Sequence, residues 1–242
     1  MEFNNNIHIG TSGWNYKHWK GAFYPENIPE RKWLEYYTNK FETVELNSSF
    51  YHLPKEKTVA NWHDNTPDGF LFSCKASRYI THIKKLDDPE ESLKKFFDVI
   101  SGLKEKLGVV LFQLPPNLGY DIDRLGNFTD ALPSGYKYTF EFRHPDWWRD
   151  ETYDVLEKNK MAFCIYELGE IKTPRITTCN TVYIRLHGPG KKYKGNYDAG
   201  AINLWASLFA GWKKEGKEIF CYFDNDEKGY AVRNALELKE QI

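Results

Sequence analysis

The chain has 242 residues, 33 Lys+Arg against 34 Asp+Glu, and a formal net charge of -1. With 28% charged residues beside 8 Trp, 16 Tyr and 16 Phe, it is too ring-rich for a disordered chain and too charged for a membrane-embedded one. The even balance argues against a surface that holds nucleic acid by charge alone, and the length suits one α/β barrel of about 250 residues.

The opening MEFNNNIHIG has no basic region followed by an apolar stretch, so it does not read as a signal peptide. Short apolar runs then recur at Ile7–Gly10, Thr43–Asn47, Phe70–Lys75 and Gly108–Leu114, and again at Tyr138–Phe142, Met161–Tyr166, Val182–His187 and Ile219–Asp224. Their length and near-continuous hydrophobicity predict parallel strands covered on both faces. Helical spacing fills the gaps at Pro29–Lys40, Pro89–Leu107, Asp146–Lys158, Ala199–Glu215 and Asp226–Leu238. The stretch Leu168–Asn180 is too rich in Pro and Thr to assign. Eight strand–helix units without a linker predict a single-domain (β/α)8 TIM barrel over residues 1–242. The competing doubly wound sheet lacks its G-x-G-x-x-G turn, since Gly10-Thr-Ser-Gly13 has another spacing. Cys74, Cys164, Cys179 and Cys221 form no CxxC pair and read as small buried hydrophobes of a reducing compartment, the cytoplasm. No apolar run reaches the ~18 residues of a membrane span.

Chemistry in a barrel belongs to the C-terminal strand ends. There the apolar runs give way to polar pairs: Glu45 and Asn47, Ser73 and Lys75, Gln113, Glu141 and Arg143, Arg185 and His187, and Asp224. The i, i+2 spacing puts both members of each pair on one face. An interior mouth lined by carboxylates, Lys, Arg and His is expensive unless the charges are paired or hold a ligand. Ion pairs such as Glu141 with Arg185 or Asp224 with Lys75 are the bland reading, and a ligand site is the sharper one.

The loops add rings and lysines. Trp14, Tyr16, Trp19, Phe23 and Tyr24 follow the first strand, Phe50 and Tyr51 the second, Tyr79 the third, Trp147 and Trp148 the fifth, and Tyr193 and Tyr197 the seventh. Such rings stack on a ligand or pack loops onto the barrel. Gly188–Gly200 carries four glycines with Lys191, Lys192 and Lys194 where barrels often bind phosphate, and it reads as a lid. Lys75, Arg78 and His82 form a second basic wall.

These stretches resemble the domain of unknown function 72 family, the YecE-like proteins. The resemblance runs through Ile9-Gly-Thr-Ser-Gly-Trp14, Trp19-Lys-Gly21, Phe23-Tyr-Pro25, Glu45-Leu-Asn-Ser-Ser-Phe-Tyr51 and Phe72-Ser-Cys-Lys75. It continues through Leu111-Phe-Gln-Leu-Pro-Pro116, Glu141-Phe-Arg-His-Pro-Asp-Trp147, Tyr183-Ile-Arg-Leu-His-Gly188, Tyr193-Lys-Gly195 and Tyr222-Phe-Asp-Asn225. It implies a TIM barrel and supplies no reaction. The sixth strand departs from the pattern, with Cys164-Ile-Tyr-Glu167 where an acidic residue directly after the strand is usual.

The leading expectation is an enzyme, a hydrolase or lyase, acting on an anionic and phosphorylated small molecule or nucleotide. Glu45, Lys75, Glu141, His187 and Asp224 are its catalytic candidates. Its substrate-binding candidates are Trp14, Asn47, Tyr51, Arg78, Gln113, Arg143, His144, Arg185, Lys191, Tyr193, Tyr197 and Asn225. Arg suits the bidentate grip on phosphate or carboxylate, and His187 suits proton transfer near neutrality. No cofactor, resident metal or membrane partner is expected, and the oligomeric state is left open. The alternatives are a metal-dependent hydrolase using Glu45, Glu141, His187 and Asp224, a glycosidase, a Lys75 Schiff base, and a single-stranded nucleic acid or nucleotide binding module.

Overall fold

The computed structural model describes residues 6–242; residues 1–5, which begin the stretch tested against a signal peptide and the predicted 1–242 domain, lie outside the described residues. The elements in order are β1 (Ile7–Thr11), α1 (Trp33–Thr38), β2 (Thr43–Leu46), α2 (Ser48–Tyr51), α3 (Glu56–Asp64), β3 (Leu71–Lys75), α4 (Pro89–Ile100), β4 (Leu107–Leu114), α5 (Ile122–Asp130) and β5 (Lys137–Phe142). They continue with α6 (Asp150–Lys158), β6 (Ala162–Leu168), β7 (Ile171–Lys172), β8 (Thr181–Leu186), α7 (Ala199–Lys214), β9 (Glu218–Phe223) and α8 (Tyr230–Lys239). The strand order is β1-β9-β8-β6-β5-β4-β3-β2, with a parallel bridge from Ser12 to Glu45 joining β1 to β2. Eight parallel strands with helices between them make the (β/α)8 TIM-barrel fold.

The chain divides into two compact units. The first holds residues through Glu45, Ile165–Arg175 and Asn180–Ile242. In it β9 lies between β1 and β8, with Ile7 opposite Ile219, Thr11 opposite Phe223 and Leu186 opposite Phe223. Gly10 is glycine because β1 passes so close to β2 that a Cβ there would stand 2.2 Å from the Thr43 carbonyl oxygen. The loop after β1 packs as an aromatic block, with Tyr24 stacked on Trp33 at 4.8 Å and both rings buried. Trp19, Phe23 and Tyr24 are therefore packing residues, the blander of the two expectations for them.

The second unit holds Leu46–Cys164 and Ile176–Cys179. Here β4 lies between β3 and β5, and β5 pairs with β6 through Thr139–Ala162 and Phe140–Phe163. Phe112, Phe140, Phe142 and Phe163 stack from strand to strand, each burial contributing about 1.5–3 kcal/mol. Trp147 is buried beneath them and donates Nε1–H to the Leu118 carbonyl at 2.9 Å, so it too packs.

Several predicted boundaries shift for local reasons. The helix expected at Asp226–Leu238 starts at Tyr230, because Gly229 is left-handed at φ 68. The one expected to Leu107 ends as α4 at Ile100 and continues as a 3-10 segment. Three helices were not predicted, α2, α3 and α5. In the unassigned stretch, Thr hydroxyls replace strand partners: Thr173 accepts from Tyr166 N and Thr178 from Phe163 N, both at 2.9 Å. Cys74, Cys164 and Cys221 are buried and Cys179 is half-buried. Among the described residues no helix is long and apolar enough to cross a membrane.

Candidate functional site

Parity along β8 puts Tyr183, Arg185 and His187 on one face, and in the first unit they meet Glu45 from β2 and Asp224 from the end of β9. Arg185 donates Nε–H to Glu45 Oε1 at 2.8 Å and Nη2–H to Oε2 at 2.7 Å. Tyr183 donates its hydroxyl to Oε1 at 2.9 Å and Ser12 donates to Oε2 at 2.7 Å. A carboxylate with four donors is well satisfied despite complete burial. Arg185 Nη1 also faces His187 Nε2 at 3.3 Å, and His187 Nδ1 lies 2.8 Å from Asp224 Oδ2. Because Arg only donates, Nε2 is the acceptor and Nδ1 carries the proton given to Asp224. Asp224 is the part of the network that reaches solvent, with 17% of its side chain exposed against 0% for His187.

Beside Asp224, Asp226 accepts from Trp19 Nε1 at 2.5 Å and pairs with His18 at 2.9 Å. Burial above all, with Asp224 adding to it, pushes the Asp226 carboxyl up to about 6. Burial, then Asp224, Asp226 and Glu45, holds the Tyr16 phenol well above its ordinary range. Tyr16 was read only as one of the loop rings, and Ser12, Tyr183 and Asp226 were not singled out for the site. The period-two signal that marked Arg185 was present for Tyr183, two residues earlier on the same strand.

In the second unit, Glu141 is buried on β5 and accepts from Arg143 Nε two residues on; Cys164 Sγ lies 3.9 Å from its other oxygen. The ion pairs among these residues include Glu45 with Arg185, Arg185 with Asp224 and Glu141 with Arg143. Lys75 Nζ stands 4.0 Å above the Phe50 ring. His82 stands edge-on to the same ring at 4.9 Å. Burial, then Lys75, Arg78 and Arg143, lowers the His82 imidazole to about 4, with Glu141 opposing. Lys75, Arg78 and Arg143 thus act on one half-buried ring, with Arg143 offset by its ion pair to Glu141.

Tyr51 and Arg78 are exposed, and Asn47 and His144 are half-buried. Gln113 is buried and gives Nε2–H to the Leu114 carbonyl at 2.8 Å. Trp14 is half-buried, its carbonyl accepting from Tyr24 at 2.6 Å. Lys191 is exposed at the loop tip. Tyr193 stands edge-on to His187 at 5.4 Å. Tyr197 is buried, accepting from Gly188 N at 3.2 Å, and Asn225 is buried, donating to the Gly195 carbonyl at 2.9 Å. Among the described residues no three His, Cys, Asp or Glu side chains gather as a metal ion would require.

The family model described as Protein of unknown function DUF72 matches residues 8–242. The chain is 26% identical to UPF0759 protein YunF of Bacillus subtilis over 277 residues, covering 98% of this chain and 94% of that one. It is 31% identical to UPF0759 protein YecE of Escherichia coli K12 over 140 residues, 57% of this chain and 49% of that one. The crystal structure of a DUF72 family protein from Thermotoga maritima MSB8 superposes with a TM-score of 0.88 at 29% identity, covering 97% and 98% of the two chains.

Proposed function

The chain belongs to the DUF72 family, and on that premise we propose that it is an enzyme using acid/base chemistry on a small anionic organic substrate, best fitted by a phosphorylated one. The observation that carries this is the gathering of Lys75, Arg78 and Arg143 around His82. Even with Arg143 paired to Glu141, Lys75 and Arg78 leave the group net positive, which favours an anion among them. Arg143 keeps a planar fork suited to phosphate or carboxylate, and Lys75 adds a point charge. Glu141 is the acid/base group of the second unit. In the first unit, Asp224 exchanges protons, His187 orients it, and Glu45 and Arg185 hold His187 in place.

Inorganic phosphate tests the reading. Calorimetry should show saturable binding, weakened roughly tenfold to a hundredfold in Arg143→Gln and in Lys75→Met, the loss expected for one charge-assisted bond. Absence of binding by the wild type, at ionic strength matched with chloride, would sink it.

A second reading, a nucleotide-binding module, draws on Tyr51 and Tyr79, which are 71% and 52% exposed. Stacking of a base is worth about 1–3 kcal/mol. A nucleoside monophosphate that binds at least tenfold tighter than inorganic phosphate, with the gain lost in Tyr51→Ala or Tyr79→Ala, would favour it.

A further inference from the structure

A cavity in the second unit is lined by none of the charged residues considered so far. After β3 the chain makes a π-helical turn at Tyr79–Ile83, closed by Lys84 N donating to the Tyr79 carbonyl at 2.8 Å. Such wide turns are rare and concentrate at functional sites. The chain then reverses into α4 through Lys85, Leu86 and Asp88, whose φ angles of 51, 71 and 40 are left-handed. None of the three is glycine, so each is a strained position that its surroundings must hold. Leu86 is buried and its N–H donates to the Ile80 carbonyl at 3.1 Å, which pins the reversal to the π-helical turn. Between this turn, the start of α4 and Leu53 lies an open cavity of about 630 Å³, a size that suits a small organic molecule.

The cavity has an apolar floor and an acidic rim. The buried Ile80 and Phe96 supply the floor, and Tyr79 and Leu53, 52% and 38% exposed, supply walls open to solvent. At the rim two lysines, Lys84 and Lys95, stand against three carboxylates, Asp88, Glu90 and Glu91, which leaves a net charge of -1. Lys84 pairs with Asp88 at 3.3 Å and Lys95 with Glu91 at 2.6 Å. Glu90 makes no ion pair among the described residues, so the unmatched charge is its own. The first turn of α4 does not call for an anion, because Glu90 and Glu91 already serve it and Pro89 has no N–H. Ser77 Oγ accepts from Tyr79 N at 3.2 Å and keeps a second lone pair for another donor.

The geometry points to this cavity as a binding site for a compact organic amine, an ammonium group on an aromatic or branched apolar body. The body lies on Ile80 and Phe96 and against the Tyr79 ring. The ammonium is held at the rim by Glu90, and the exposed face of Tyr79 adds a cation–π attraction. A carboxylate of the same size meets a net negative rim and is disfavoured. Lys75, Arg78 and Arg143 do not line this cavity, so the site stands or falls independently of the anion reading above.

Phenethylamine is the probe, and phenylpropionate, similar in size and opposite in charge, is its control. In amide NMR titrations phenethylamine should move Tyr79, Ile80, Ser92 and Phe96 saturably, with an affinity of about a millimolar. Phenylpropionate should bind at least about fivefold more weakly. Glu90→Gln should weaken the amine by about twofold to fivefold, the range of an exposed ion pair, and remove most of the preference over phenylpropionate. Tyr79→Ala should weaken the amine by about threefold to tenfold. Both side chains are exposed, so neither substitution removes a buried contact, and Lys94→Gln, on α4 but outside the cavity, should change nothing. No saturable shift at these amides, shifts elsewhere only, or phenylpropionate binding as tightly as the amine overturns the proposal. An amine affinity that is unmoved by both Glu90→Gln and Tyr79→Ala overturns it as well.

Discussion

Arg185 gives both arms of its guanidinium to Glu45, at 2.8 Å and 2.7 Å, with the two side chains 2% and 0% exposed. So closed a pair is a poor hand for a ligand and a good brace for what touches it. Through Nη1 it holds His187, and through His187 it holds Asp224. Removing one partner leaves a buried charge without its counterion. Glu45→Gln should lose about 3–5 kcal/mol of stability. Urea unfolding followed by circular dichroism checks this, and a loss under about 1 kcal/mol would mean that the pair is solvated in solution.

Asp226 sets a pH dependence. Its carboxyl is raised in the folded chain from an ordinary 3.8 to about 6, so the folded state binds the proton more tightly than the unfolded state. Its contribution is stabilising below about pH 4 and is lost as pH rises through about 6. Asp226→Asn should therefore flatten the stability profile across that window, while keeping an acceptor for Trp19 Nε1. A thermal-melt series from about pH 4 to 7 that falls equally steeply in wild type and variant would remove Asp226 as the cause.

Lys106 is buried, yet it is a capping residue rather than a chemical one. Its ammonium donates to the carbonyls of His63 and Thr66, both at 2.7 Å, and so closes the C-terminal end of α3. Lys106→Met keeps the length of the side chain, strands the Thr66 carbonyl and leaves the His63 carbonyl only the Thr66 hydroxyl at 3.3 Å. The expected loss is about 2 kcal/mol in urea unfolding, with the phosphate affinity of the second unit unchanged.

The barrel was legible because its strands are near-continuous apolar runs, and the strand-end residues because parity is strict along a strand. Glu45, Arg185 and His187 share one network for that reason. The three missed helices carry weak patterns: α2 is only four residues long, Val59 is the buried apolar residue of α3, and α5 has Gly126 at its middle. The stretch before β8 was unreadable because Thr173 and Thr178 act through their hydroxyls, which leave no periodicity. Which cation would stand near which carboxylate was also beyond spacing. Arg143 chose the Glu141 of its own strand, and Arg185 reached across to β2. The fixing of His82 by Phe50 depends on a contact between α2 and the π-helical turn, which local sequence does not encode.

The Gly188–Gly200 loop was expected to be a lid, and its hydrogen bonds narrow the part that is able to move. Gly188 is tied at both ends of its peptide, to the Tyr197 hydroxyl at 3.2 Å and to Gly169 N at 3.0 Å. Its φ of 110 and the 2.2 Å that a Cβ would have from the Lys194 carbonyl oxygen make this position glycine. Tyr193 N donates to the His187 carbonyl at 2.7 Å, and Asn225 and Asn234 clamp Gly195 and Tyr197. That leaves residues 189–192 as the tip, where Lys191 and Lys192 repel each other in the absence of an anion. Amide exchange at residues 190–192 should therefore approach that of a free chain, while Gly188, Tyr193, Lys194 and Tyr197 are protected. Asn225→Ala should speed exchange at residues 194–197 by about tenfold, the loss of one buried hydrogen bond, without touching β8. A ligand that binds over Asp224 should slow residues 190–192 as well. Tip amides as slow as those of β8 in the unliganded protein would end the lid reading and leave the Glu45–Arg185–His187–Asp224 network intact.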